Sequence, residues 1–193
     1  MYGFLPNPPD ARDYRYTPVL SQAPEGVLSA REHILSIFAQ GPLPTCVSQA
    51  VVQMIRAELH RRDRDDRVLS RAFAHYTGRS TWTNPDTWGG NYFRAVFKAG
   101  RKWGWPLENT YRYSYQNVTA QPPWDVFQGA YDARFHFQYF RIFATGADVT
   151  RAIDNLLAQK KTIGCGIDVS DYVEQGDFSK GPAPCPTRAT GKG

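Results

Sequence analysis

The sequence contains few histidines, few cysteines and no long hydrophobic run. Its 193 residues include four histidines and three cysteines. No stretch approaches the length of a membrane-spanning helix, and the first nine residues have neither the basic nor the apolar region of an export signal. No Cys and His pairs have the spacing of a zinc site, and no phosphate-binding loop occurs. We therefore expect no metal, no cofactor and no membrane association, and a cytoplasmic or virion-associated protein.

The charge of the chain does not indicate a nucleic-acid partner. The formal net charge is +5 at pH 7, but the densest basic run, residues 60–67, alternates arginines with aspartates. Such a mixture is typical of a solvated helix end, and the aromatic residues show no RNA-binding signature. With 41% hydrophobic and 14% aromatic residues, the chain can bury a substantial core. We expect one globular unit that binds no nucleic acid.

The most informative segment is residues 40–46, with the sequence QGPLPTC. Apolar residues recur at helical spacing after it, so Cys46 is predicted to open a helix that ends near Arg62. The helix dipole at that position favours a thiolate. The free N–H groups of the first turn, together with the Gln40 carboxamide, are suited to binding an oxyanion. The alternative is a cysteine that packs as a small hydrophobic residue.

Two separate segments resemble the papain-like cysteine peptidases. Residues 40–47 are similar to the active-site loop and central helix of that family. Residues 86–113 are similar to a second family segment, because they contain a Gly-Gly pair, a predicted helix over 92–103 and an Asn-Thr-Tyr-x-Tyr sequence. The opening residues, 3–14, resemble the N-terminal leader of bacterial and phage members.

The resemblance implies a set of site residues. Cys46 would be the nucleophile, and Gln40 would belong to the oxyanion hole. The backbone of Gly89 and Gly90, with Trp88 beside it, would bind an extended peptide or protein substrate.

The cysteines depart from the family pattern. Leu43 and Thr87 stand where the resemblance would place a structural disulfide, so that disulfide cannot form. Cys165 and Cys185 are the remaining possible pair, but we expect three free thiols, as suits a reducing compartment. Cys165 is predicted to lie in the core, on the apolar face of a strand over residues 162–169.

The histidines depart from the pattern as well. The family places its His and Asn about 130–150 residues after the nucleophile, which is roughly residues 176–196 here, yet the last histidine is His136. The ending, residues 190–193, resembles the glycine-rich segment before the family's histidine. We therefore expect the general base just beyond Gly193 and an inactive chain without it. Structural positions are expected for the histidines present, which are His33, His60, His75 and His136.

The resemblance implies an α+β fold with two lobes. After a Pro-rich leader over 1–26 that wraps the domain, the peptidase domain would span 27–193. Its helical lobe, at about 27–115, would be complete, and its β-barrel lobe, at about 116–193, would be partial. Further predicted elements are a helix over 148–160, strands over 135–143 and 162–169, and connections over 106–127 and 171–193.

The favoured function is a cysteine peptidase that hydrolyses peptide bonds through a Cys46 acyl-thioester. An inactive papain-like structural or binding module, such as a virion or secretion/tail-apparatus component with assembly partners, is the alternative. A third possibility is an acyltransferase or transglutaminase-like use of the same thiol.

Overall fold

The computed structural model describes residues 3–18, 26, 28–143, 146–166, 169–170 and 191–192. Across these ranges a 3-10 helix, Arg31–His33, precedes the α-helices α1 (Cys46–Asp63), α2 (Arg71–Ser80), α3 (Phe93–Trp103), α4 (Trp124–Asp132) and α5 (Ala147–Ala158). Two short strands, β1 (Val169–Ser170) and β2 (Gly191–Lys192), pair antiparallel, with Val169 opposite Lys192.

Helices α1, α2 and α3 pack against one another and enclose the core. The apolar residues of α1 recur every three or four positions, so one face of this helix is buried. A buried cluster joins that face to α2 and α3, and its members include Val47, Val51, Val52, Phe73, Val96 and Phe97. The core therefore lies directly beneath the N-terminus of α1, where Cys46 is placed.

Local signals set the limits of these three helices. Arg64 ends α1 in the left-handed region, with φ of 54°. The Ser70 Oγ caps α2 by accepting the Phe73 N–H at 3.1 Å. Gly104 ends α3 with φ of 74°, and a Cβ there would lie 2.1 Å from the Ala130 carbonyl oxygen. The predictions of α1 and α3 are confirmed, whereas α2 was not predicted.

The second half of the chain corrects two sequence predictions and confirms one. The helix predicted over 148–160 is present as α5. The connection predicted over 106–127 is wrong at its end, because α4 begins at Trp124 after two prolines. The predicted loop over 171–193 is wrong at Gly191–Lys192, which forms β2; its other residues lie outside the described ranges.

The strand predicted over 135–143 does not form, and of the strand predicted over 162–169 only Val169 lies in a strand, β1; residues 167–168 lie outside the described ranges. Residues 135–143 make one isolated bridge, between Arg141 and Arg15, although the side chains do alternate between the core and solvent over 135–140. Residues 162–166 are not in a strand, and Cys165 is exposed. The prediction of a core Cys165 is therefore wrong, because a strand buries one face only where a neighbouring strand or helix covers it.

The N-terminal segment, residues 3–18, lies against the N-terminal end of α3. Phe4 forms a parallel bridge with Asn91, and the Asp13 carboxylate accepts hydrogen bonds from the Arg94 and Arg141 guanidinium groups. Both hydrogen bonds hold down the pKa of Asp13. The boundary at residue 26 and the division into lobes stay predictions.

Two features are absent from the described residues. None of their helices combines the length and apolar character needed to cross a membrane. No cluster of three or more His, Cys, Asp and Glu side chains in these ranges has the arrangement of a metal site.

Candidate active site

Cys46 is the first residue of α1, as the sequence predicted, and its side chain is half-buried. Thr45 precedes it as the N-cap, but the Thr45 side chain makes no capping hydrogen bond to the helix. The first-turn N–H groups are therefore not capped by that side chain. A thiol at this position lies in the positive field of the helix N-terminus.

The loop before the helix, residues 40–45, is called the nucleophile loop here. Gln40 Nε2 donates to the Leu43 carbonyl at 2.5 Å, and the Thr45 N–H donates to the same oxygen at 2.8 Å. Gly41 turns the loop with φ of 65°. An amide nitrogen carries two hydrogens, so Gln40 keeps one N–H for another acceptor. That hydrogen is what the predicted oxyanion role requires.

The Gly-Gly segment faces the N-terminal segment of the same chain. The Asn91 N–H donates to the Gly3 carbonyl at 2.7 Å, and the Leu5 N–H donates to the Asn91 carbonyl at 3.0 Å. A Cβ on Gly90 would lie 2.5 Å from the Gly3 oxygen, and a Cβ on Gly3 would lie 2.1 Å from the Pro44 oxygen. Gly3 is thus held between the nucleophile loop and Gly90. The substrate roles of Gly89 and Gly90 stay predictions.

Arg79 anchors the loop that carries Gly89 and Gly90, and sequence reasoning missed it. Its guanidinium donates to the Gly90 and Asn84 carbonyls, each at 2.9 Å, and to Thr87 Oγ1 at 2.8 Å. The side chain is only 3% exposed, and burial lowers its pKa. Thr87 stands where the family resemblance would place a disulfide cysteine. Here the hydrogen bond from Arg79 to Thr87 tethers the loop instead.

Trp88 lies at the edge of this loop and is partly exposed. Its ring contacts the Tyr115 ring, with the centroids 4.5 Å apart, and Tyr115 is itself largely exposed. An exposed aromatic pair next to the backbone of Gly89 and Gly90 is suited to contact an apolar side chain of a bound peptide. The predicted role of Trp88 is compatible with this position but stays a prediction.

Two of the histidines lie together at the opposite end of α1 from Cys46. His33 Nδ1 is 3.3 Å from His60 Nδ1, and His60 is in the last turn of the helix. Because an α-helix rises about 1.5 Å per residue, His60 lies on the order of 20 Å from Cys46. Neither His33 nor His60 is therefore placed to deprotonate the Cys46 thiol.

His75 and His136 are also directed elsewhere. His75 is 1% exposed, and its Nδ1 lies 3.2 Å from the Oγ of Ser48. Residues two apart on a helix point to different faces, so the partner of Ser48 does not face Cys46. Burial, assisted by the charge of Arg79 and opposed by a hydrogen bond to the Gly89 backbone, lowers the pKa of His75 to about 4. His136 is exposed.

The residues around the site that sequence reasoning missed share one property. Arg79 and Tyr113 contact partners that lie 5 to 73 residues away in sequence. Tyr113 was recognised only as part of a family-like sequence, and no spacing rule indicates its contact with the nucleophile loop.

Comparison with known proteins places the fold. A crystal structure of xylellain, a cysteine protease from Xylella fastidiosa, matches this chain with a TM-score of 0.62 and 20% sequence identity. The match covers 81% of this chain, which spans 61% of the xylellain chain. No protein-family model and no curated protein sequence matches. The chain therefore shares the fold of a papain-like cysteine protease.

Proposed function

We propose that this protein is a cysteine peptidase that attacks peptide bonds with Cys46. The observation that carries the proposal is the position of Cys46, at the first residue of α1 and directly after a loop that holds the Gln40 carboxamide. In a protein with the fold of a cysteine protease, this arrangement supports a thiol nucleophile whose oxyanion would be bound by two N–H donors, one from Gln40 and one from the Cys46 backbone.

The reaction would proceed in two steps. The Cys46 thiolate adds to the substrate carbonyl, and the Gln40 and Cys46 N–H groups stabilise the resulting oxyanion. Collapse of this intermediate breaks the C–N bond, releases the amine with a proton and leaves an acyl-thioester, which water then hydrolyses. The proton transfers need a general base, and none of the four histidines in this sequence is placed beside Cys46.

The experiment measures acylation of the chain by an activated ester, which needs no general acid for its leaving group. A dipeptide p-nitrophenyl ester at pH 8 should acylate Cys46 faster than Cys165, although Cys165 is the more exposed thiol. Release of p-nitrophenol gives the rate, and peptide mass spectrometry locates the adduct. Cys46→Ser should remove the fast phase, and Cys165→Ser should keep it.

Gln40→Ala should lower the acylation rate by roughly 10²–10³, the usual effect of losing one oxyanion donor. An adduct found mainly on Cys165, or a Gln40→Ala variant with the normal rate, would contradict the proposal.

A structural or binding module is the second candidate. The observation in its favour is the pairing of Gly3 and Leu5 with Asn91, because it holds Gly3 directly against Gly90, where a peptide substrate would bind. A chain of this kind would show equal, slow acylation of its thiols. The same ester experiment therefore separates the two functions.

A further inference from the structure

The hydroxyl of Tyr113 contacts both ends of the nucleophile loop. It lies 2.8 Å from the Gln40 carbonyl oxygen and 2.6 Å from the Thr45 Oγ1. Gln40 carries the proposed oxyanion donor, and Thr45 immediately precedes Cys46. One side chain from a distant segment therefore bridges Gln40 and the residue that immediately precedes Cys46.

The direction of each hydrogen bond in this bridge follows from the number of available protons. The Gln40 carbonyl can only accept, so the single hydroxyl proton of Tyr113 is donated to it. The Thr45 hydroxyl must then donate to the Tyr113 oxygen. The Thr45 oxygen in turn lies 3.4 Å from Gln49 Nε2, which can only donate. One arrangement of the protons therefore satisfies all three hydrogen bonds. A polar network that is fully satisfied in this way holds its side chains in one geometry.

Tyr113 is itself held in place from two sides. The Arg71 guanidinium lies 4.6 Å from the centroid of the Tyr113 ring, within the range of a cation–π contact. The Tyr113 N–H donates to Glu108 Oε1 at 2.8 Å, and Glu108 forms an ion pair with Arg71 at 2.9 Å. The hydroxyl is thus presented to the loop by a ring that cannot easily rotate or withdraw.

We propose that Tyr113 is a positioning residue for catalysis, which sets the Gln40 carboxamide at the correct distance from Cys46. This inference rests on the proposed function, because it requires that the Gln40 carboxamide binds an oxyanion. Tyr113 would touch neither the substrate nor the thiol, and would act only through the backbone of Gln40 and the side chain of Thr45.

The test compares two reactions of the same thiol. Acylation by the p-nitrophenyl ester forms an oxyanion, whereas alkylation by iodoacetamide is a direct displacement at carbon and forms none. Tyr113→Phe should lower the acylation rate roughly tenfold, less than Gln40→Ala does, and should leave the alkylation rate within about twofold. A purely structural role would change both rates together or neither.

Tyr111→Phe is the matched control. The Tyr111 hydroxyl likewise lies near two oxygens, the Asn117 and Ala120 carbonyls at 3.0 and 2.9 Å, which share its single proton, but it does not bond to the nucleophile loop. This variant should lose stability without a change in the ratio of the two rates.

A second pair of variants covers a Tyr113→Phe protein that fails to fold. Thr45→Val keeps the shape of the side chain but removes its hydroxyl, and should lower acylation selectively. Thr45→Ser keeps the hydroxyl and should retain the normal ratio.

Each remaining result is decisive. If Gln40→Ala lowers acylation but Tyr113→Phe and Thr45→Val do not, the inference is wrong and the proposed function stands. If Gln40→Ala has no effect either, both are wrong. An equal fall in both reactions for Tyr113→Phe overturns the positioning role in favour of a general structural one.

Discussion

Acid should destabilise this protein through His75. The imidazole is buried between Ser48 and the Gly89 backbone, and its pKa is lowered from 6.5 to about 4, chiefly by burial. In the unfolded chain the same group should titrate near 6.5. Between these two values the unfolded state binds a proton that the folded state does not. The free energy of unfolding therefore rises with pH over this window. The contribution of neutral His75 to stability is fully present above about pH 6.5 and is lost as the pH falls toward 4.

The magnitude follows from the difference between the two pKa values. Each pKa unit corresponds to about 1.4 kcal/mol, so protonation of His75 should remove about 3 kcal/mol between pH 6.5 and pH 4. About 2 kcal/mol of this should be lost by pH 5. Because small domains are stable by roughly 5–15 kcal/mol, this single group would account for a large part of the acid sensitivity.

Urea unfolding at pH 7 and at pH 5, followed by far-UV circular dichroism, measures this loss. His75→Gln removes the titrating group while keeping a donor and an acceptor for Ser48 and Gly89. The unfolding free energy of wild type should fall by about 2 kcal/mol more than that of His75→Gln between the two pH values. His136→Gln, at an exposed position, should behave like wild type. Equal pH dependence in wild type and His75→Gln would refute the reasoning.

Two further predictions concern the loop that carries the Gly-Gly segment. Arg79→Lys should lower the free energy of unfolding by about 2 kcal/mol, because an ammonium group cannot bond to the Gly90 and Asn84 carbonyls and the Thr87 hydroxyl at the same time, as the planar guanidinium does. Urea unfolding and limited proteolysis within residues 84–90 test this prediction. Unchanged protection of that loop from proteolysis would contradict it. Gly90→Ala should push residues 3–5 away from Asn91, since the new Cβ would lie 2.5 Å from the Gly3 oxygen. Faster hydrogen exchange at the Leu5 and Asn91 amides would measure that displacement. Normal exchange at both amides would show that the backbone accommodates the Cβ without displacing residues 3–5.

The parts of the fold that could be predicted are those with a strong local pattern. Helices α1 and α3 have apolar residues at regular helical spacing, so their burial and their limits follow from the sequence. Helix α2 was missed because its sequence, RAFAHYTGRS, includes a buried histidine, threonine, glycine and arginine. The histidine and the arginine are acceptable there because Ser48 and the loop over 84–90 supply their partners. The threonine donates to the Phe73 carbonyl within the helix.

The site divides in the same way. The pairing of Cys46 with Gln40 is a local spacing, and the chain shows it within seven consecutive residues. Arg79 and Tyr113 are chemically ordinary in the sequence, and their roles depend on backbone carbonyls that folding brings to them. Every residue has a backbone carbonyl, so no sequence pattern shows which carbonyl a given side chain will bind.

The pairing of Gly3 and Leu5 with Asn91 has a consequence for any peptide that binds here. A peptide that uses the Asn91 backbone competes with the N-terminal segment of the same molecule, whose effective concentration is on the order of millimolar. If this segment is displaced in about 1% of molecules, a peptide binds about a hundredfold more weakly than its contacts alone would allow. The measured affinity would then report how often the N-terminal residues leave Asn91 as much as how well the peptide fits there.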